Sequence, residues 1–167
     1  CQGINATENP IFNYLPIIPN KGELINVKSS NLPNFILNSG VFSLPIDADK
    51  FTIGSTYNHR DYLESNTKEA REELLKKIGK IINQDKIEVL SQNYGFRPTT
   101  SDRKPLIGEH PIIKNLYIIN GMGSKAVLMA PLLINELLEN KVGASVDVKR
   151  FYNKIKSENI DYANSLI

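Results

Sequence analysis

Residues 95–108 read Gly-Phe-Arg-Pro-Thr-Thr-Ser-Asp-Arg-Lys-Pro-Leu-Ile-Gly. Residues 87–96 have strand character, and the polar residues that follow Pro98 are expected to form a loop. We therefore expect Arg97 to end the strand, because Pro98 restricts the residue before it to extended conformations. An arginine in that place can direct its guanidinium into a cleft and hold a carboxylate by two parallel hydrogen bonds. Asp102 provides an alternative, because it can pair with Arg97 or Arg103 as a structural clamp. The residues alone leave both interpretations open.

A second segment of interest follows a short apolar strand. Residues 116–119 are continuously apolar, which is typical of a strand buried on both faces, and Gly121-Met122-Gly123-Ser124 comes next. A leucine-rich helix follows, and we expect its regular part to begin at Pro131. Glycines at such a turn let backbone N–H groups approach an anionic ligand. A tight connection that needs positive φ explains the same glycines, and the pattern is not GxGxxG.

The remaining elements are predicted from periodicity and turn residues. We expect strands at Lys21–Val27, Gly40–Leu44 and Phe51–Thr56, a helix at 66–83 and a last helix from Asp147. The second and third strands form an antiparallel hairpin around residues 47–49, and Pro45 closes its first strand. Asn66 is expected to cap the long helix, with Glu69 completing a capping box and Gly79 inside the helix. The final ten residues are expected to be loosely ordered.

Composition narrows the function classes. The chain has 167 residues, 41% apolar residues and a net charge of +2, as expected of one globular domain. No apolar run approaches the roughly 20 residues that cross a bilayer, so we expect a cytoplasmic protein that does not span a membrane. The balanced charge does not predict nucleic-acid binding, nor does it exclude it. A single cysteine excludes an intrachain disulfide and a cysteine-based zinc site.

The two histidines do not have metal-ligand spacing. His110 precedes a proline, and we expect it in a surface loop. His59 follows the strand that ends near Tyr57, and it either lies in a solvated turn or faces the same cleft as Arg97.

Several motifs together resemble one known family. Residues 95–99 with Asp102, Pro105, Ile107 and Gly108 resemble the Gly-x-Arg-Pro-x-Thr-x-Asp…Pro-x-x-Gly stretch of the D-amino-acid oxidase (DAO) family of FAD-dependent oxidoreductases. Residues 115–117, 121–126 and 130–131 resemble that family's later strand, its Gly-x-Gly-Ser-x-Gly turn and its Ala-Pro helix start. Upstream, residues 19–24 and 51–57 are similar to its Pro-x-Arg-Gly-Gln-Leu and Ile-Gly-Ala-Thr strands. The order and spacing agree from residue 1 to about residue 142.

The resemblance implies an α+β fold, with a mixed, largely antiparallel sheet and flanking helices. Residues 1–5 would end a strand of the FAD-binding domain, and 6–114 would form the substrate-binding domain. Residues 115–142 would be a strand–turn–helix returning to the FAD domain, and 143–167 a C-terminal helix and tail. The glycine-rich dinucleotide fingerprint of the family's N-terminal domain is not in this chain. The chain is therefore expected to be the C-terminal part of a longer enzyme.

The resemblance also implies a chemistry, the transfer of a hydride from an amine-bearing carbon to FAD, which leaves an imine. Arg97 would bind the carboxylate of a small amine or amino-acid substrate, and we expect Tyr57 and His59 to contact it. The flavin-facing turn would comprise Gly121, Met122, Gly123, Ser124, Lys125, Ala126 and Val127. Ala126 replaces a usual glycine, so its φ must be negative. Without the N-terminal domain, the chain is expected to hold FAD poorly and to be inactive.

Two alternatives remain. Residues 123–125, Gly-Ser-Lys, resemble the Gly-Ser-Arg form of tRNA wobble-uridine-modifying oxidases, which act on carboxymethylaminomethyl-uridine. The second alternative is a non-catalytic carboxylate-binding module or a lipoprotein that begins at Cys1.

Overall fold

The structure is a computed structural model that describes residues 2–83 and 86–167. It divides into two compact units, one of residues Lys21–Phe96 and one that combines the residues up to Asn20 with Arg97–Ile167. The strands are β1 Ile17–Lys28, β2 Leu37–Asn38, β3 Phe42–Asp47, β4 Lys50–Gly54, β5 Glu88–Thr100, β6 Leu106–Glu109 and β7 Tyr117–Asn120. The helices are α1 Lys68–Ile78, α2 Ala126–Leu138 and α3 Ser157–Asn164, with 3-10 turns at Gly3–Thr7, Gly123–Lys125 and Val148–Lys154.

The larger sheet has the strand order β2-β3-β4-β1-β5. The pairs β1–β4, β2–β3 and β3–β4 are antiparallel, and β3 and β4 form the predicted hairpin. Helix α1 packs on this sheet because its apolar positions repeat every three or four residues. The core of this unit comprises Ile25, Val27, Leu32, Val41, Phe51, Ile53, Leu74 and Ile78. The predicted α+β class, an antiparallel sheet with flanking helices, is confirmed.

The sequence predicted that Pro45 ends its strand, but Pro45 lies inside β3, opposite Phe51. Strand β2 reaches only Phe42 and Ser43 on the other side of β3. At Pro45 that side is an edge, where the missing N–H interrupts no ladder.

Helix α1 is shorter than predicted at both ends. Its N-cap is Thr67, whose extended backbone lets Oγ1 accept from the N–H of Ala70 at 3.3 Å. The side-chain amide of Asn66, the predicted cap, donates instead to the carbonyl of Gln92. Gly79, predicted within the helix, is its C-cap.

A buried polar cluster, here called the Lys21–Glu23 cluster, lies beside α1. The side chains of Lys21 and Glu23 are 1% and 2% exposed, and the Lys21 Nζ lies 2.8 Å from Asp61 Oδ2 and 3.5 Å from Glu23 Oε1. Glu23 also accepts from the N–H and Oγ1 of Thr67 and from Gln92 Nε2. Burial acts to raise the pKa of Glu23, but these hydrogen bonds and the Lys21 charge outweigh it and hold the pKa below its usual range.

The other unit contains the antiparallel pair β6–β7. Its core comprises Ala6, Phe12, Tyr14, Leu15, Ile17, Leu106, Ile118, Val148 and Phe151. Strand β7 is not buried on both faces as predicted, because Tyr117 is 48% exposed. Pro131 lies inside α2 rather than at its start.

His110 is a buried residue and not the surface-loop residue that the sequence predicted. Its ring makes edge contacts with Phe12 and Tyr14. Nδ1 accepts from the N–H groups of Ile112 and Ile113, so Nε2 carries the proton that is donated to the carbonyl of Ile11. Burial lowers the pKa of His110, which favours this neutral form.

The chain ends also differ from expectation. Residues 157–164 form α3, and the buried Asn159 fixes it by donating to the carbonyl of Pro10 and to Asn13 Oδ1. The final ten residues are therefore not loosely ordered. Gly3–Thr7 form a 3-10 turn instead of the end of a strand, and Cys1 lies outside the described residues. Within residues 2–83 and 86–167, no helix has the length and apolar character needed to cross a membrane.

The buried charges lead to a stability prediction. Glu23→Ala removes a partner from the buried Lys21 ammonium, so the free energy of unfolding should fall by about 3 kcal/mol. Glu72→Ala is the control, because Glu72 and Lys68 form an exposed pair and its loss should change stability by less than about 0.5 kcal/mol. Chemical denaturation measures both variants. Equal effects would show that the Lys21–Glu23 cluster does not stabilise the fold.

Candidate functional site

Strand β5 continues through Arg97 and Pro98 to Thr100, so Arg97 does not end its strand as predicted. The strand is the last in the sheet order. On such an edge strand the missing N–H of Pro98 is tolerated.

Side-chain hydrogen bonds connect this part of β5 to β1. Arg97 Nη1 donates to Asn20 Oδ1 at 3.1 Å, and Thr99 Oγ1 donates to the carbonyl of Ile18 at 2.7 Å. Asn20 is 1% exposed, whereas Arg97 is half-buried. The Arg97 guanidinium therefore contacts a buried amide and is partly open to solvent.

The glycine turn lies against the same end of β5. Gly121 and Gly123 have φ values of +71° and +55°, which confirms that the connection needs positive φ. A Cβ on Gly121 would lie 2.7 Å from Thr100 Cγ2, and one on Gly123 would lie 3.4 Å from Thr99 Cγ2. The buried Asn120 side chain accepts from the N–H of Gly121 and donates to the carbonyl of Gly3. The structure thus places the turn two to three residues along β5 from Arg97.

The rest of the turn leads directly into α2. Met122 is half-buried, Ser124 and Lys125 are exposed, and Val127 is 93% exposed. Ala126 has φ −55°, which confirms the negative φ expected where alanine replaces the family's usual glycine. The first N–H groups of α2 have no intrahelical acceptor, and the helix dipole makes this end electropositive. A glycine turn followed by a helix N-terminus suits a group that carries negative charge, as a reduced flavin ring does.

Asp102 has a structural role with a partner that the sequence did not indicate. Its Oδ2 accepts from Arg150 Nε at 2.9 Å, and Arg150 also donates to the carbonyls of Pro105 and Asp147. Burial acts to raise the pKa of Asp102, but the hydrogen bonds from Arg150 and the Lys104 N–H hold it below its usual range. Asp102 therefore forms a structural clamp, but its arginine is Arg150 and not Arg97 or Arg103 as predicted.

Tyr57 and His59 belong to the Lys21–Phe96 unit, whereas Arg97 and the glycine turn belong to the other. Tyr57 is 62% exposed, and His59 is also exposed. Between them, Asn58 pairs with Lys21 through two backbone hydrogen bonds of 2.9 Å. Their contact with substrate stays a prediction. Across the described residues, no group of three histidine, cysteine or carboxylate side chains is placed to hold a metal ion.

Known proteins that resemble this chain identify its family. The DAO family model, described as FAD dependent oxidoreductase, matches residues 1–137. The chain belongs to this family. FAD is the cofactor of these oxidoreductases, and the family predicted from the sequence is confirmed.

Individual relatives include a bifunctional protein of Idiomarina loihiensis, MnmC, named for tRNA 5-methylaminomethyl-2-thiouridine biosynthesis. It is 31% identical over 138 residues, which are 78% of this chain and 22% of MnmC. The glycine oxidase of Pseudomonas aeruginosa is 27% identical over 73% of this chain and 34% of its own length. The crystal structure of glycine oxidase from Geobacillus kaustophilus matches with a TM-score of 0.66 and 26% identity, over 82% of this chain and 39% of that one.

The sequence alone did not indicate Asn20 as a candidate site residue. It falls in the segment 19–24, which resembled a strand entry, and no spacing rule connects it with Arg97, 77 residues later. The available signal was a polar residue directly before Lys21 and Glu23 in a strand, where buried polar groups need partners.

The turn geometry predicts a matched pair of glycine variants. Gly121→Ala places a methyl group within 2.7 Å of Thr100 at positive φ, so the free energy of unfolding should fall by about 2 kcal/mol or more. Gly143→Ala is the control in the same unit, since no atom lies within 4 Å of its added Cβ. Denaturant titration compares the two, and a Gly121→Ala protein as stable as Gly143→Ala would contradict the close approach.

Proposed function

We propose that this chain is the C-terminal, substrate-binding part of a longer FAD-dependent oxidoreductase that oxidises the C–N bond of an amine or amino acid to an imine. The observation that carries the proposal is the packing of the glycine turn against the end of β5, close along that strand to Arg97. A cation that can bind a carboxylate and a turn that fits a flavin thus belong to one compact unit. Family membership supports the same reaction class.

Arg97 binds the substrate carboxylate in this proposal. A guanidinium offers two parallel N–H donors to a carboxylate, which fixes both the position and the orientation of the bound amino acid. Orientation is the main requirement of hydride transfer, because no protein acid or base must act on the reacting carbon. Tyr57 and His59 are proposed as further substrate contacts.

The turn Gly121–Val127 is proposed to hold the flavin ring. FAD, when bound, supplies the hydride acceptor. The backbone N–H groups of the turn, the N-terminus of α2 and the Lys125 ammonium would stabilise negative charge on a ring held there.

The exposed side of α2 supports the part of the proposal that concerns a longer protein. Val127, Leu128, Leu132 and Leu138 are 93%, 80%, 61% and 76% exposed. Neighbouring apolar side chains that are this exposed are typical of surfaces that bind another protein, a membrane or a ligand. The chain also spans only about a third of the glycine oxidases it matches. An FAD-binding domain outside the chain is the proposed covering surface.

Retention of FAD during purification tests whether most of the FAD-binding site lies outside this chain. The 167-residue chain should purify without flavin absorbance, because its turn contacts only one part of FAD, whereas the full-length protein should be yellow. Stoichiometric flavin in the isolated chain would contradict the proposal.

The carboxylate role of Arg97 is tested in the full-length protein with glycine and methylamine, which is the same amine without the carboxylate. Arg97→Ala should raise KM for glycine by about 100-fold, since two charge-assisted hydrogen bonds are lost, and should leave methylamine turnover unchanged. Arg71→Ala removes an exposed arginine of α1 and serves as the control. An unchanged KM for glycine in Arg97→Ala would exclude this role.

A tRNA-modifying oxidase is the second candidate, and the 31% identity with MnmC favours it. Its substrate would be carboxymethylaminomethyl-uridine, whose carboxylate suits the same arginine. Binding of tRNA by the full-length protein, weakening steeply between 50 and 200 mM salt as phosphate contacts require, is expected in that case. The absence of tRNA binding at low salt would leave the small-molecule reaction.

A further inference from the structure

Asn20 contacts Arg97 through its side-chain oxygen, and its side-chain NH₂ group makes no such contact. Its Oδ1 accepts from Arg97 Nη1 at 3.1 Å. Its Nδ2 is buried and has no hydrogen-bond partner within residues 2–83 and 86–167. The residue as a whole is 1% exposed, so bulk solvent does not reach this amide.

The orientation of this amide follows from the chemistry of its partner. A guanidinium has donors only, so the oxygen of Asn20 must face Arg97 and the NH₂ group must take the opposite side. A buried donor without an acceptor loses its hydration and recovers nothing. For stability alone, leucine would suit this buried position better than asparagine.

Two arginines of the same unit show what asparagine provides. Arg150 is held by the carboxylate of Asp102, which neutralises its charge. Asn20 fixes a nitrogen of Arg97 with a neutral oxygen, so this contact leaves the positive charge of Arg97 in place for a ligand.

We propose that Asn20 is a positioning residue, which fixes the plane of the Arg97 guanidinium for a substrate carboxylate without neutralising it. The inference rests on the proposed function of Arg97. A planar donor fork gains most when its plane is set before the ligand binds, because less rotational freedom is lost on binding.

Two variants of the full-length protein test the proposal, with glycine and methylamine as probes. Asn20→Leu removes both the acceptor and the unpartnered donor. It should raise KM for glycine about tenfold, leave kcat within about twofold, and leave the thermal midpoint unchanged or higher. Asn20→Asp keeps an acceptor but adds a carboxylate that competes with the substrate. Its KM for glycine should rise at least as much, again without loss of stability, and methylamine turnover should stay unchanged in both.

Arg97→Ala in the same assays separates the two ideas. If that variant raises KM for glycine while both Asn20 variants retain the wild-type KM, the positioning role is overturned and the proposed function stands. If Arg97→Ala retains the wild-type KM, both are overturned. If Asn20→Leu fails to fold, Asn20→Asp decides, since a wild-type KM in that variant overturns the proposal and a raised KM at wild-type kcat supports it.

Discussion

The close approach of the Gly121 backbone to Thr100 and Leu106 is the constraint on which the candidate site depends. A side chain on Gly121 would overlap Thr100, so only glycine lets the end of β5 and the turn meet. That contact fixes the turn relative to the strand that carries Arg97. Helix α2 begins shortly after this turn, at Ala126, where the helix dipole makes the helix end electropositive.

Buried polar groups differ in how completely they are hydrogen-bonded. Lys21 and Glu23 are almost fully buried, and each has charged or hydrogen-bonding partners, as a stable interior requires. Asn20, the residue before Lys21, has a buried donor that lacks a partner among the described residues. Because a buried donor without an acceptor costs stability, the asparagine at position 20 indicates that a requirement other than stability acts there.

The sequence predicted the family, the fold class and the hairpin, because these depend on motif order and on local periodicity. It also predicted positive φ at the glycine turn and a negative φ at Ala126, which are local steric properties. It failed where distant residues compete for the same group. Thr67 and not Asn66 caps α1, because the Asn66 side chain donates to the carbonyl of Gln92 in β5. The clamp on Asp102 comes from Arg150, 48 residues away, and no spacing rule reaches that far.

We propose that Arg97, held by Asn20, binds a substrate carboxylate beside the glycine turn. A crystal structure of the full-length protein with FAD and glycolate, a carboxylate that resembles the substrate, would show this contact itself. Two guanidinium nitrogens of Arg97 should lie within about 3 Å of the glycolate oxygens, with the Asn20 hydrogen bond retained. Glycolate bound by other residues, with Arg97 turned away from it, would rule out this role of Arg97.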